Sequence, residues 1–234
     1  MLKQIARVYS YISFFKSCKI QLDAHLSSMC LSEGKAHAKF VTSRMNSDNR
    51  MWAPNAKDHL VWVDMEMTSL DVTEGRILEV ACLITDSNLN IIAEGQDLVI
   101  HQPDDVLQSM NEWCIEHHGM SGLTDASRNS KLTIEEADQQ ILNFLKIYIP
   151  PGKCPVAGNS VYMDRLFMNR YLPEVDKYLH YRIVDVTTIK ELCRRWSPTV
   201  FAKTPPKILS HRSLSDIKES IKELQYYQSS FFKI

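Results

Sequence analysis

Leu60-Val-Trp-Val-Asp64-Met-Glu66-Met-Thr68-Ser-Leu70 opens the patterned part of this chain. Leu60 to Val63 is a short apolar run, which reads as a strand, and Asp64 and Glu66 follow it two positions apart. On a strand, residues i and i+2 project to the same face, so the two carboxylates share one side of whatever sheet forms. Arg76-Ile-Leu-Glu-Val-Ala-Cys-Leu-Ile84 predicts a second strand ending at the turn Asp86-Ser-Asn-Leu-Asn90, and Ile91 to Ile100 predicts a third. Three strands joined by short turns form an antiparallel meander. Downstream the pattern changes. Asp104 to Arg128 reads as helical in part, and Thr133-Ile-Glu-Glu136 is a capping box. It opens a helix with Ile134, Ala137, Ile141, Leu142 and Leu145 on one face, stopped by Pro150-Pro151-Gly152. Cys154 to Ala157 predicts a strand followed by a helix from about Tyr162 to Tyr171, and Arg182 to Val186 a strand followed by a helix through Trp196. Pro198 to Pro206 reads as a loop, and a last helix near Leu214 to Tyr227 turns Leu214, Ile217, Ile221 and Leu224 to one side. A meander followed by alternating strands and helices predicts one α/β domain, a mixed central sheet flanked by helices.

The whole chain has 234 residues, 27 Lys+Arg against 28 Asp+Glu, and 44% hydrophobic residues. That composition supports a packed core and excludes a collagen-like or wholly disordered chain. No stretch approaches 18 consecutive apolar residues, so no membrane partner is expected. A formal charge of −1 argues at first against nucleic acid, but it averages two unlike parts. Met1 to Lys57 holds nine basic and three acidic residues, +6, whereas Asp58 to Ile234 holds 18 basic and 25 acidic, −7. The expected division is thus a basic extension over 1–57 and a domain over 58–234. Before Asp23 the extension has four basic residues, no acidic one, and an apolar stripe through Leu2, Ile5, Val8, Ile12 and Phe15. This is the composition of a mitochondrial presequence, with a basic disordered tail as the plainer alternative. Ser10 and Ser13 interrupt the unbroken apolar run that a secretory signal needs. Met29, Met45 and Met51 offer internal starts, which would add a cytoplasmic or nuclear pool to the matrix one. The six cysteines are scattered without a C-x-x-C pair, so most are expected as small buried residues in a reducing compartment.

Two carboxylates on one face repel unless a cation lies between them, and hard divalent ions take such oxygen ligands. A D-x-E pair on a solvated strand edge means nothing by itself. Asp164 follows the Gly158-Asn-Ser160 turn near a helix start, where an Asp is also an ordinary polar residue. His211 precedes the last helix and Asp216 lies five residues on, placing both toward one end of it.

Taken together, four blocks carry a resemblance. Asp64-Met-Glu66-Met-Thr68, Gly158-Asn-Ser160-Val-Tyr-Met-Asp164, Tyr181-Arg182-Ile-Val-Asp185-Val and Ser210-His211-Arg212-Ser-Leu-Ser-Asp216-Ile resemble the oligoribonucleases, in the His-containing subclass of the DEDD exonuclease superfamily. Trp113-Cys-Ile-Glu-His-His118 and Lys190-Glu-Leu-Cys-Arg-Arg-Trp196 extend it across Leu60 to Ile234. The resemblance implies an RNase H-like fold and a hydrolase that releases 5′-mononucleotides from the 3′ end of short RNAs, down to dinucleotides. By motif, Asp64, Glu66, Asp164 and Asp216 would hold two divalent cations, Mg²⁺ or Mn²⁺, and His211 would be the general base. Leu70 and Trp113 are expected as an apolar wedge and a stacking platform for bases. Ser160, His118, Arg182 and Thr187 are expected around the 5′ phosphate, and Tyr181 at the site of a neighbouring subunit in a homodimer. Residue type alone favours the opposite for Leu70, Trp113 and Tyr181, as packing side chains.

Ser69 stands where the family usually has Gly; at a positive φ it would cost on the order of 1 kcal/mol. Ser213 and Ser215 replace an Ala and an acidic residue, neither of them a metal ligand. The alternatives are a related exonuclease trimming longer DNA or RNA, a degenerate protein that binds short oligonucleotides without cutting them, and a phosphodiesterase for other substrates.

Overall fold

The computed structural model describes residues 52–207 and 212–232, which belong to one compact unit. The expected address before Trp52 and the candidate base His211 lie outside the described residues.

Strand β1 (Leu60–Met67) pairs antiparallel along its length with β2 (Ile77–Thr85). Beyond β2 lie β3 (Ile91–Glu94) and β4 (Leu98–Val99), both antiparallel to it. On its other side β1 runs parallel to β5 (Val156–Gly158), and β5 parallel to β6 (Ile183–Asp185), giving the order β3-β2-β1-β5-β6. The expected third strand is therefore two pieces. At Gly95 the backbone closes on β2, its N–H donating to the Cys82 carbonyl at 2.8 Å, and a Cβ there would lie 2.8 Å from the same oxygen.

The helices are α1 (Asp104–Gln108), α2 (Glu112–Met120), α3 (Leu123–Asn129), α4 (Ile134–Tyr148), α5 (Tyr162–Tyr171), α6 (Pro173–Tyr178), α7 (Val186–Trp196), α8 (Pro198–Phe201) and α9 (Ser213–Ser230). The segment after Pro103 breaks into three helices because Asn111 caps α2, accepting from the Cys114 N–H, and Gly122 turns at φ 74° before α3. Both bonds of the Thr133/Glu136 capping box form at the start of α4. Two short helices were not expected: α6, started by Pro173, and α8, started by Pro198 inside the expected loop. In each the proline occupies a position where its missing N–H costs nothing.

β1 divides the core by alternation. Val61, Val63, Met65 and Met67 pack with Ala137, Ile141, Leu142 and Leu145 of α4 and Phe167 and Met168 of α5. Trp62 faces the other way, against Val186 and Cys193 of α7 and Ile217, Ile221 and Tyr227 of α9, its Nε1 donating to Thr85 Oγ1 at 3.0 Å. Asp64 and Glu66 continue that second face beyond the apolar cover, which is how a strand built to fill a core ends in two carboxylates. β2 is buried throughout, as a central strand covered on both faces should be. Cys82, Cys114, Cys154 and Cys193 are buried free thiols, and burial pushes the Cys82 thiol up to about 12, so it is inert at neutral pH.

Candidate active site

Three carboxylates meet where β1 emerges beneath the start of α9. One oxygen each of Asp64, Glu66 and Asp216 lies within 4.8 Å of the others. Asp216 sits in the first turn of α9, and the apolar residues one and five positions on, Ile217 and Ile221, fix that helix against the Trp62 face. The helix start is fixed as well. Glu79 of β2, opposite Glu66 in the strand register, receives Arg212 at Oε1, with Nε at 2.9 Å and Nη2 at 2.7 Å, and its Oε2 accepts from the Ser213 N–H at 3.0 Å. Because Glu79 is wholly buried, these charge-assisted bonds leave α9 one way to dock.

Asp164 arrives from the other side of β1. β5 ends at Gly158, where a Cβ would lie 2.9 Å from the Val63 carbonyl and 3.1 Å from Val161, so the turn beside β1 needs glycine. Two residues on, Ser160 adopts φ 52°, held there by its N–H donating to Asp185 Oδ1 at 3.0 Å and Thr187 Oγ1 at 2.9 Å. A non-glycine residue kept in the left-handed region by its surroundings is typical of a functional turn. Asp164 then falls in the first turn of α5, buried.

Burial raises the Asp64 carboxyl well above its usual range, and Asp164, Glu66 and Asp216 push it further, with Lys207 the opposing charge. Glu66 is pushed up to about 7, by burial first, then by Asp216 and Glu79 against Arg212. Burial also raises Asp164, opposed by backbone hydrogen bonds including one from Met65. The donor set fits a hard divalent cation: it consists of carboxylates, it is partly buried yet open enough to admit an ion, and negative charge is in excess. Asp164 lies outside the tight trio but heads the charges acting on Asp64.

Beside the carboxylates a pocket is lined by Glu66, Ser69, Leu70, Asn111, Trp113 and His118. Leu70 is 70% exposed and Trp113 53%, so neither is a core residue. The Trp113 ring stacks on His117 at 4.0 Å, which orients it. His118 is buried, with Nε2 3.0 Å from the Met67 carbonyl and Nδ1 3.8 Å from Glu66 Oε2. A carbonyl only accepts, so Nε2 carries the proton and Nδ1 faces Glu66. The strain expected of Ser69 does not arise, because its φ is not positive; its hydroxyl accepts from the Asp71 N–H at 3.1 Å.

A second hollow is lined by Ser160, Asp185, Thr187, Thr188 and Arg195. Of the four residues expected around a phosphate, Ser160 and Thr187 come together, their hydroxyls 3.1 Å apart. His118 lies in the Trp113 pocket instead, and Arg182 is exposed with its guanidinium 5.6 Å from the Tyr181 ring centre. Tyr181 is 75% exposed and stacks on His180 at 4.5 Å. Sequence reasoning missed Glu79. The signal for Glu79 was a lone charge inside the apolar run Ile77–Thr85.

The exonuclease family model matches residues 61–224. The human protein named mitochondrial oligoribonuclease is 50% identical over 202 residues, covering 86% of this chain and 85% of that one. A probable oligoribonuclease of Drosophila melanogaster is 49% identical over 211 residues, 90% of this chain and 99% of its own. The oligoribonuclease of the bacterium Marinobacter nauticus is 49% identical over 177 residues, 76% and 98%. Among solved structures, exonuclease I of Methylocaldum szegediense superposes with a TM-score of 0.58 at 19% identity, over 75% of this chain and 41% of that one. Exonuclease I of E. coli, solved with a dT13 oligonucleotide, gives 0.58 at 16%, over 75% and 42%. The chain spans under half of those solved chains, and the likeness confirms the expected RNase H-like fold. With the exonuclease model matched over 61–224 and relatives near 50% identity over most of both chains, this chain belongs to the oligoribonuclease family of exonucleases.

Proposed function

We propose that this protein is a 3′-to-5′ exoribonuclease that degrades short oligoribonucleotides, down to dinucleotides, to 5′-mononucleotides. The observation that carries the reading is the convergence of Asp64, Glu66 and Asp216, with Asp164 behind Asp64, beside a pocket walled by the exposed Leu70 and Trp113. Asp64, Glu66, Asp164 and Asp216 would hold two divalent cations, Mg²⁺ or Mn²⁺. Such cations, when bound, stabilise charge on phosphoryl oxygens and acidify water. His118 Nδ1 lies 3.8 Å from Glu66 Oε2 and attracts that carboxylate only when the imidazole carries a second proton. His211, outside the described residues, would take the proton of the attacking water, for which a neutral imidazole is suited near pH 7. Trp113 stacks a base and Leu70 wedges against its neighbour, contacts that hold any sequence because every base has a π face. Ser160, Thr187 and Arg182 would receive the 5′ phosphate, His118 would contact the substrate from the Trp113 pocket, and Tyr181 would reach the partner's site in a homodimer. An enclosed 5′ phosphate limits substrate length, so the acidic charge of residues 58–234 is compatible with RNA of a few nucleotides. The names of the human, bovine and mouse relatives place those proteins in mitochondria, and with the basic extension they support a matrix location for this one. Forms started at Met29, Met45 or Met51 would form a cytoplasmic or nuclear pool.

Purified protein with Mg²⁺ or Mn²⁺ is expected to convert a 5′-phosphorylated RNA dinucleotide to mononucleotides, and to act on 2-mers far faster than on 20-mers. Full activity after Asp64→Ala, or preference for the 20-mer, refutes the assignment.

A further inference from the structure

Glu223 lies on α9 at 2% exposure, and the proposed hydrolysis makes no use of it. Burying a carboxylate costs several kcal/mol unless its charge is paired and its lone pairs satisfied, so its partners are informative. Oε2 accepts from Lys207 Nζ at 2.7 Å and Asn159 Nδ2 at 3.2 Å; Oε1 accepts from the Tyr227 hydroxyl at 3.1 Å and lies 3.5 Å from Lys190 Nζ. Burial pushes Glu223 up, but the lysines outweigh it and hold the group below its ordinary value, so it is ionised.

An ionised carboxylate only accepts, and this sets the direction of every hydrogen bond leading away from it. Asn159 must turn its amide nitrogen toward Glu223 and Ser220, whose Oγ is 2.7 Å from Nδ2, and its Oδ1 away. Oδ1 in turn only accepts, so Thr187 Oγ1, 3.2 Å from it, is the donor. The single Thr187 proton is thereby committed. Its oxygen takes the Ser160 N–H at 2.9 Å, and across the 3.1 Å between the two hydroxyls Ser160 is left as the donor. Every proton from Ser160 to Glu223 then points the same way, and successive bonds in such a chain strengthen one another. One proton can be redirected without breaking the rest: that of the exposed Ser160 hydroxyl, since Thr187 keeps the Ser160 N–H.

We propose that Glu223 is a positioning residue which, through Asn159, orients the hydroxyls of Thr187 and Ser160 so that Ser160, and not Thr187, donates to the 5′ phosphate of the substrate. This rests on the reading of the Ser160 and Thr187 hollow as the phosphate end of the site. Thr187 serves as a support for Ser160, and Asn159 is the link between that hollow and the helix that carries Asp216. The link reaches Asp216 itself, because Ser220 Oγ donates to the Asp216 carbonyl at 2.8 Å.

The test is kcat/KM for a 5′-phosphorylated and an unphosphorylated RNA dinucleotide, with saturating Mg²⁺, in wild type, Glu223→Gln, Ser160→Ala and the double variant. A Gln at 223 keeps the volume but removes the charge that orders the Asn159 amide, so the ordering of the chain weakens. Glu223→Gln is expected to lower the preference for the phosphorylated substrate about tenfold, the worth of one charge-ordered hydrogen bond. Ser160→Ala is expected to lower it at least as far, and the double variant no further than Ser160→Ala, because both act on one donor. An unchanged preference in Glu223→Gln, or additive losses in the double variant, overturns the proposal, even where activity on both substrates falls together. Absence of any preference in wild type overturns the phosphate reading itself, and the proposal with it. Should Glu223→Gln not fold, Asn159→Ala cuts the chain at its middle and is expected to give the same loss.

Discussion

Glu66→Gln is expected to abolish activity and yet stabilise the cation-free protein above pH 7. In the unfolded chain this carboxyl titrates near 4.5, whereas in the fold burial, Asp216 and Glu79 push it up to about 7. Between those values the folded state holds a proton that the unfolded state has released, so stability falls as pH rises through the window. One pKa unit corresponds to about 1.4 kcal/mol, and the loss is complete above the folded value, about 3 kcal/mol. Below pH 4.5 it vanishes. Gln matches the protonated glutamate in shape and carries no charge, so the variant escapes the loss at any pH. The assay is thermal unfolding in chelator at pH 4.5 and pH 8. For a domain of this size each kcal/mol shifts Tm by roughly 2–4 °C, so the variant should melt roughly 6–12 °C above wild type at pH 8 and level with it at pH 4.5. Mg²⁺ or Mn²⁺ at a hundred times its Kd should then return about 2.7 kcal/mol to wild type, and less to the variant, because a ligand bound only by the folded state stabilises it. A variant no more stable than wild type at pH 8, or offset equally at both pH values, refutes the claim that crowded carboxylates strain the empty fold.

Trp113→Ala should reduce kcat/KM by roughly 5- to 150-fold, the worth of one base stacked on an aromatic ring, with Tm nearly unchanged because the side chain is half exposed. A large fall in Tm would mean that the ring packs instead of binding. Gly158→Ala forces a Cβ onto the Val63 carbonyl and Val161, and should cost about 1–3 kcal/mol in urea unfolding as well as activity, since Asp164 rides on that turn. Mixing Tyr181→Ala subunits with Asp64→Ala subunits should restore about a quarter of wild-type activity, because in a two-fold dimer half the molecules are mixed and each regains one of two sites. No gain on mixing, with exchange verified, removes Tyr181 from the partner's site.

Local patterns in the chain carried a good part of this architecture. The i, i+2 spacing of Asp64 and Glu66 requires one face whatever surrounds the strand, and the apolar period of α9 fixes which way its first turn points once its buried face is known. The capping box of α4 depends on four consecutive residues and forms as expected. What stayed hidden depended on distant partners. Glu79 finds Arg212 133 positions away, and Asn159 joins Glu223 across 64. The expected third strand continued in pattern through Gly95, but the backbone of β2 breaks it there. Ser69 would be strained only at a positive φ, and φ is settled by the path of the loop and not by residue type.

The chain by itself therefore determined most of its elements, the common face of Asp64 and Glu66, and its family, because these depend on spacing within a few residues of one another. Only the tertiary structure decided that Leu70 and Trp113 stand exposed beside the carboxylates, that His118 turns inward to Glu66, and that Ser160 and Thr187 share a hollow without it. Exposure, tautomer and hydrogen-bond direction are properties of surroundings, and the surroundings of each of these side chains come from segments far away in sequence.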